Sequence, residues 1–182
     1  MQVAIIGAGP LGRWLASAAA RAGYTVLLED VMPSNLHHAQ EYLRRQLGPA
    51  ALPNVVFAST IEGAVREADL AIDCVPDELE SKLEIFCLLD RMAPPRTVFI
   101  TPTINLSIAD LASCTYRADK CVALVANAQE LTGAAPGEVE AGANGREILL
   151  RTPPRISLES ITMVREFWER VGFAPRFEAD PA

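Results

Sequence analysis

The stretch Val3-Ala4-Ile5-Ile6-Gly7-Ala8-Gly9-Pro10-Leu11-Gly12 begins with an apolar run and ends in a glycine turn. An alanine-rich segment continues to Ala22, and after Gly23 a second apolar run closes on Glu29-Asp30. This order predicts a strand, a tight turn, a helix and a second strand with an acid at its carboxyl end. A G-x-G-x-x-G turn between two strands is typical of a dinucleotide-binding fold.

Each glycine of the turn is expected to have its own role. Gly7 allows the chain to leave the strand in a tight turn, and Gly9 leaves room for backbone to approach a pyrophosphate. Gly12 allows the helix to pack closely on the sheet. The helix that begins at Pro10 and Leu11 would hold the phosphates with its backbone N–H groups and its positive end.

Asp30 follows Gly12 by 18 residues and is placed to accept the ribose hydroxyls of an adenosine. A glycine turn that binds nothing is the alternative, but the two flanking strands and this acid argue against it. Asp30 and the neighbouring Glu29 would also repel a 2′-phosphate. The sequence therefore predicts NAD, rather than NADP, as the dinucleotide.

The composition limits the other partners. A length of 182 residues, half of them apolar, predicts one domain with a sizeable core. The net charge of −7 argues against nucleic acid or an anionic membrane as a partner. No membrane span is expected, because no apolar run is long enough. No signal peptide is expected either, because the N-terminal apolar segment lacks a basic flank and carries the glycine turn. The four cysteines have no C-x-x-C spacing and are expected to be reduced, buried thiols of a cytoplasmic protein, with no metal site.

Strand and helix patterns alternate along the rest of the chain. Further strands are predicted over 54–58, 69–75, 97–101, 121–126, 147–151 and 174–178, and helices over 33–47, 61–67, 78–92, 107–112 and 157–171. Alternation of this kind predicts an α/β class with a mainly parallel sheet and helices on both faces. Residues 127–145 lack periodicity and are expected to form a mobile surface loop, with or without a hairpin in it.

The predicted helix 78–92 carries an apolar face and a charged face. Its apolar residues at helical spacing are Leu79, Leu83, Phe86 and Leu89. Glu78 and Lys82 are four residues apart, which suits an ion pair on the solvent side of the helix.

The run Ala68-Asp69-Leu70-Ala71-Ile72-Asp73-Cys74-Val75-Pro76-Asp77-Glu78-Leu79-Glu80-Ser81-Lys82 resembles the NAD-binding domain of the 3-hydroxyacyl-CoA dehydrogenases. The likeness continues through Ile85-Phe86, Leu89-Asp90, Thr101-Pro102-Thr103 and Leu106-Ser107-Ile108 and covers nearly the whole chain.

The resemblance implies a Rossmann-type doubly wound sheet of order 3-2-1-4-5-6 plus edge strands, as one domain over residues 1–182. It also implies NAD as cofactor and a setting in fatty acid metabolism. The cofactor contacts that it implies, together with those of the glycine turn, are Gly7, Gly9, Pro10, Leu11, Gly12, Asp30, Val75, Pro76, Asp77 and Lys82.

The family's catalytic positions differ in this sequence. Members oxidise a 3-hydroxyl with a histidine base that a glutamate orients, and a serine and an asparagine help to bind the substrate oxygen. The serine position falls on Ile104, the histidine position on Val125 and the glutamate position on Ile148. Glu147 is one residue away and would face the opposite side of a strand. The chain's two histidines, His37 and His38, are expected on a solvent-facing helix instead.

Two longer features of the family are also missing. The all-helical domain that completes the family's substrate cleft would begin where this sequence ends. A long helical hairpin that holds CoA in the family is replaced by one helix and a short loop. The leading hypothesis is therefore an NAD(H)-binding relative that has lost the catalytic Ser/His/Glu and has a sensory, structural or subunit role.

The sequence leaves two alternatives open. The first is an NAD-dependent oxidoreductase acting on a small hydroxy or keto substrate, or on a hydroxyacyl thioester, with Asn105, Asn127 or Glu130 as polar contacts. The second is a homodimer or a separately encoded helical partner that restores the missing half. An exposed apolar patch for that contact is expected at Phe167, Phe173 and Phe177.

Overall fold

The computed structural model describes residues 1–126, 131–132 and 146–181. Its strands are β1 (Gln2–Ile6), β2 (Thr25–Glu29), β3 (Val55–Ala58), β4 (Leu70–Asp73), β5 (Val98–Pro102), β6 (Cys121–Val125), β7 (Arg146–Thr152) and β8 (Phe173–Ala179). Its helices are α1 (Pro10–Arg21), α2 (Pro33–Gln46), α3 (Ile61–Val65), α4 (Leu79–Met92), α5 (Ile108–Ser113) and α6 (Leu158–Val171), with 3₁₀ turns at Leu52–Asn54 and Ala118–Lys120.

The described strands form one sheet in the order β3-β2-β1-β4-β5-β6-β7-β8. The pairs from β3 to β6 are parallel, β7 runs antiparallel to β6, and β8 is parallel to β7. This confirms the α/β class, the strand order 3-2-1-4-5-6 and the edge extension. The carboxyl ends of β1, β2, β4 and β5 therefore meet at one edge of the sheet.

Alternation along β1 divides the core into two layers. Val3 and Ile5 face a cluster that includes residues of α1, α2 and α6, whereas Ala4 and Ile6 face a cluster that includes residues of α3, α4 and α5. Successive strand side chains point to opposite faces, so helices cover the sheet on both sides. No helix in the described part of the chain is long and apolar enough to span a membrane.

The apolar patch expected at three phenylalanines is wrong for two of them. Phe167 is fully buried and Phe173 nearly so, and both rings pack edge-on against Trp168 at centroid distances of 5.1 and 5.7 Å. Phe177 is half-buried beneath the guanidinium of Arg165. Because α6 packs on the sheet and β8 is its edge strand, Phe167 and Phe173 complete the core instead of forming a contact surface.

The inward face of α4 also differs from the prediction. Phe86 and Leu89 are buried as expected, but Leu79 begins the helix and is 48% exposed. The third buried residue of the helix is Lys82. The Glu78–Lys82 surface pair is therefore wrong, because Lys82 points inward.

The cysteines are free, as expected, but they differ in exposure. Cys121 is buried, Cys74 and Cys114 are half-buried, and Cys87 is exposed, which corrects the expectation that all four are buried. Burial raises the pKa of Cys114 to about 11 and that of Cys121 to about 12, and it also raises the pKa of Cys74.

These differences predict one fast thiol in the folded protein. The thiolate is the reactive form, and a pKa near 11 leaves roughly one thiol in a thousand ionised at pH 8. We expect an aromatic disulfide reagent at pH 8 to modify one cysteine quickly and the other three only after denaturation. Cys87→Ser should remove the fast phase. A fast phase that survives in this variant would contradict the prediction.

Candidate functional site

A cavity of ≈ 660 Å³ lies at the carboxyl edge of the sheet. Its lining comes from the glycine turn, the carboxyl ends of β2, β4, β5 and β6, and residues of α1, α2, α3 and α4. The lining residues are Ile6, Gly7, Gly9, Pro10, Leu11, Glu29, Asp30, Val31, Met32, Asn35, Ile61, Cys74, Val75, Pro76, Asp77, Ile85, Pro102, Ile104 and Ala126. An edge of this kind is where open α/β sheets bind their ligands.

The glycine turn is shaped by contacts that exclude a side chain at two of its positions. Gly7 has φ +103°, and its amide donates to the Glu29 carbonyl at 2.8 Å. A Cβ on Gly12 would lie 1.8 Å from the Gly7 carbonyl oxygen. A Cβ on Gly9 would meet no atom of the described chain within 4 Å, because this glycine borders the open cavity. Gly9 therefore leaves the space that a pyrophosphate needs.

The carboxylate of Asp30 holds the glycine turn against the end of β2. One oxygen accepts from the Ala8 amide at 2.7 Å, and the other accepts from the Met32 amide at 2.8 Å. The Asn35 side-chain amide lies 3.1 Å from both oxygens. Asp30 thus positions the turn as well as facing the cavity.

Glu29 lies beside Asp30 but has a different environment. It is only 5% exposed and lines the same cavity, and no hydrogen-bond donor from the described residues contacts its carboxyl group. Burial, reinforced by the negative charge of Asp30, raises the pKa of Glu29.

A buried ion pair supports the turn that follows β4. The ammonium of Lys82 lies 3.0 Å from the Asp73 carboxylate, and both side chains are fully buried. The Thr101 hydroxyl donates to the same carboxylate at 2.9 Å, and the Val75 amide donates to its other oxygen at 2.9 Å. Burial raises the pKa of Asp73, while Lys82, Val75 and Thr101 act against that shift.

This network joins four parts of the fold next to the cavity. The Lys82 amine also lies 3.5 Å from the Val75 carbonyl oxygen. β4, the Val75-Pro76 turn, α4 and the end of β5 are therefore connected through Asp73. Lys82 was predicted as a cofactor contact, but its side chain is fully buried and does not line the cavity.

The end of the cavity near β5 and β6 is bordered by Pro102, Ile104 and Ala126. Ile104 is 45% exposed, and its amide donates to the Asp77 carboxylate at 3.2 Å. Val125 ends β6 half-buried, and Ile148 is 6% exposed in β7. Among the described residues, the side chains at this end are thus mostly apolar, and Asp77 is the charged exception.

Other predicted positions lie outside this cavity. Glu147 faces the opposite side of β7 from Ile148, as expected, and pairs with Arg176 at 3.1 Å. His37 and His38 lie exposed on α2. Asn105 is exposed but does not line the cavity. Asn127 and Glu130 lie outside the described residues, as does the predicted loop over 127–145 apart from 131 and 132.

The structure brings most of the predicted contact residues together. Gly7, Gly9, Pro10, Leu11, Asp30, Val75, Pro76 and Asp77 line one cavity, and Gly12 lies directly behind the turn. The lining residues that were not predicted include Asn35, Ile61 and Ile85. The position of Asn35 near the start of the helix after Asp30 could have indicated it. The set fits a dinucleotide, because open space at Gly9, a helix amino terminus and an acid at the end of β2 meet there.

Comparison with known proteins agrees with this fit. Residues 2–125 match the family described as 3-hydroxyacyl-CoA dehydrogenase, NAD binding domain. The probable 3-hydroxybutyryl-CoA dehydrogenase of Bacillus subtilis is 29% identical over 136 residues, which cover 68% of this chain and 47% of that protein. The 3-hydroxyadipyl-CoA dehydrogenase of Escherichia coli is 30% identical over 123 residues, covering 61% and 26%. The chain thus spans less than half the length of these relatives.

Solved structures share the fold over the whole chain. A diketoreductase that acts on dicarbonyl compounds superposes with a TM-score of 0.81 at 25% identity, covering 100% of this chain and 65% of the other. The (S)-3-hydroxybutyryl-CoA dehydrogenase of Ralstonia eutropha gives a TM-score of 0.82 at 19% identity, covering 99% and 64%, which shows the fold alone. The family match extends from β1 to the end of β6 and includes the glycine turn, Asp30 and the Asp73 network. The chain belongs to the family of 3-hydroxyacyl-CoA dehydrogenase NAD-binding domains, and NAD is its cofactor.

Proposed function

We propose that this chain binds NAD(H) and that its residues 1–182 do not catalyse the 3-hydroxyacyl-CoA dehydrogenase reaction. The observation that carries the proposal is the apolar end of the cavity, where Pro102, Ile104 and Ala126 lie. A general base must come within hydrogen-bond reach of the proton that it removes. His37 and His38 lie on α2, and His37 faces Glu41 at 3.6 Å. The role would be that of a sensor, a structural holder of the cofactor or a subunit of a larger assembly.

The test measures binding and turnover on the same preparation. Calorimetry with NAD and NADH should give saturable binding, and no NADH should form from 3-hydroxybutyryl-CoA and NAD. Turnover above the rate of a heat-denatured control would overturn the non-catalytic role. Absence of binding at millimolar concentrations of both forms would contradict the cofactor assignment.

Asp30 should set both the affinity for NAD and the preference over NADP. Asp30→Ala removes a charged acceptor, so we expect NAD to bind about 10- to 100-fold more weakly. The affinity for NADP should fall less than the affinity for NAD, because the charge that repels the 2′-phosphate of NADP is gone. Calorimetry with both dinucleotides measures the ratio. Glu84→Ala, an exposed acid on α4, is the control and should change neither affinity. An unchanged NAD to NADP ratio in Asp30→Ala would contradict the prediction.

A second candidate is an NAD-dependent oxidoreductase acting on a small hydroxy or keto substrate. The similarity to the diketoreductase over the whole chain favours it. The exposed carboxylate of Asp77 beside Ile104 would then supply a polar contact. A screen of hydroxy and keto acids tests this candidate, and activity that Asp30→Ala abolishes would support it over the non-catalytic role.

The assembly and the location of the protein are also proposals. The chain would act in the cytoplasm as a homodimer or with a separately encoded helical partner. Because Phe167 and Phe173 belong to the core, their side chains would not form the contact surface. Light scattering of the purified chain and co-purification from native extract distinguish a homodimer from a complex with a second protein.

A further inference from the structure

Glu29 occupies a place in the cavity where a carboxyl group is costly. It is the last residue of β2, only 5% of its surface is exposed, and it lines the cavity beside Asp30. Asp30 accepts hydrogen bonds from Ala8, Met32 and Asn35. Glu29 receives none from the described residues. Because the carboxyl group borders the cavity and no described residue donates to it, a ligand that enters the cavity and donates a hydrogen bond there would gain affinity.

The neighbours of Glu29 form an apolar wall. In β2, Leu27 faces the cluster that includes residues of α3, α4 and α5, and Glu29 lies two residues later on the same face. Ile61, Val75 and Ile85 pack against this cluster and also line the cavity. A mainly apolar wall with one polar group suits a flat aromatic ring that carries a hydrogen-bond donor.

The position of Asp30 decides which part of the dinucleotide meets this wall. An acid at the end of the second strand binds the adenosine ribose in folds of this type. The base attached to that ribose is adenine, whose exocyclic N6 amine is a donor. We propose that Glu29 recognises the adenine base of NAD by accepting a hydrogen bond from its N6 amine.

The inference rests on NAD binding by this chain and adds a determinant of base specificity to it. An ionised carboxylate has only acceptor oxygens, so it can accept from the N6 amine but has no proton to donate. Hypoxanthine presents an oxygen at position 6 instead of the amine, so it would place an acceptor against the Glu29 carboxyl group. The hypoxanthine analogue of NAD should therefore bind more weakly.

The experiment is calorimetry of the 182-residue chain with NAD and with nicotinamide hypoxanthine dinucleotide. The wild-type chain should prefer NAD by about 10-fold or more. Glu29→Gln should reduce this preference to within about three-fold, because its amide offers both an acceptor and a donor. Glu29→Leu should weaken NAD and remove most of the preference. Glu84→Gln, the exposed control on α4, should retain the wild-type preference.

The outcomes separate the roles that Glu29 could have. Equal affinity of the wild-type chain for the two dinucleotides would overturn the inference, as would a full preference in Glu29→Gln. An equal loss for both dinucleotides in Glu29→Leu would place Glu29 at the ribose and also overturn it. Thermal unfolding of each variant shows whether the fold is intact. If neither dinucleotide binds the wild-type chain, the cofactor assignment fails and the inference fails with it.

Discussion

Lys82→Met should lower the free energy of unfolding by about 3 to 5 kcal/mol. The substitution leaves the Asp73 carboxylate fully buried without its ammonium partner. Methionine fills a similar volume, so the loss reports mainly the unpaired charge. Since small domains have total stabilities of about 5 to 15 kcal/mol, the variant should be close to unfolding at physiological temperature.

Urea denaturation at pH 7 measures this effect, with a constant m-value showing that the same transition is compared. Arg66→Met is the control, because Arg66 pairs with Glu62 on the surface, where the two side chains are 67% and 63% exposed. Its effect should be below about 1 kcal/mol. Adding Asp73→Asn to Lys82→Met should recover part of the loss, because the remaining group is neutral and still accepts from Thr101. Equal effects of Lys82→Met and Arg66→Met would contradict the prediction.

Gly12→Ala and Gly9→Ala should have opposite consequences although each adds only one methyl group. At Gly12 the methyl would lie 1.8 Å from the Gly7 carbonyl oxygen, which is part of the backbone turn. We expect a loss of stability of about 3 kcal/mol or more, because the turn or α1 must move. At Gly9 the methyl has no neighbour within 4 Å, and the backbone angles are accessible to alanine. Its stability should change by less than about 1 kcal/mol.

For Gly9→Ala, the expected effect is on NAD binding instead of stability. The Gly9→Ala methyl projects into space that the pyrophosphate needs, so NAD should bind at least about 10-fold more weakly although the protein remains folded. Thermal unfolding and calorimetry on both variants measure the two effects separately. A stable Gly12→Ala protein, or normal NAD affinity in Gly9→Ala, would contradict the roles assigned to these glycines.

Local sequence patterns were sufficient to predict the α/β class and the placement of the glycine turn at the carboxyl edge of the sheet. The strand and helix periods predicted the α/β class, and the turn from Gly7 to Gly12 with Asp30 predicted a cofactor edge. These features depend on short spacings along the chain. The order of the strands came from the family resemblance, and the sheet confirms it.

The position of Lys82 was not predicted, because a four-residue spacing suits both a surface ion pair with Glu78 and an inward face. Two features of the sequence favour an inward-facing Lys82. Lys82 lies four and seven residues before the buried Phe86 and Leu89, and an acid, Asp73, ends an otherwise apolar strand. Their meaning depends on the packing of α4 against β4, which a list of residues does not give. The lack of a hydrogen-bond donor for the Glu29 carboxyl group among the described residues likewise depends on the three-dimensional packing.

Both tryptophans, Trp14 and Trp168, lie in the core cluster on one face of the sheet, whereas Lys82 lies on α4, which packs on the other. Tyr24 and Tyr42 are on the tryptophan side as well, and Tyr116 is fully exposed. Intrinsic fluorescence therefore reports on one layer of the protein, while far-ultraviolet circular dichroism averages over both. If the fluorescence and circular dichroism curves of Lys82→Met coincide in urea, the two layers unfold together. If the fluorescence transition lies at higher urea than the circular dichroism transition, the layer that contains the ion pair unfolds first.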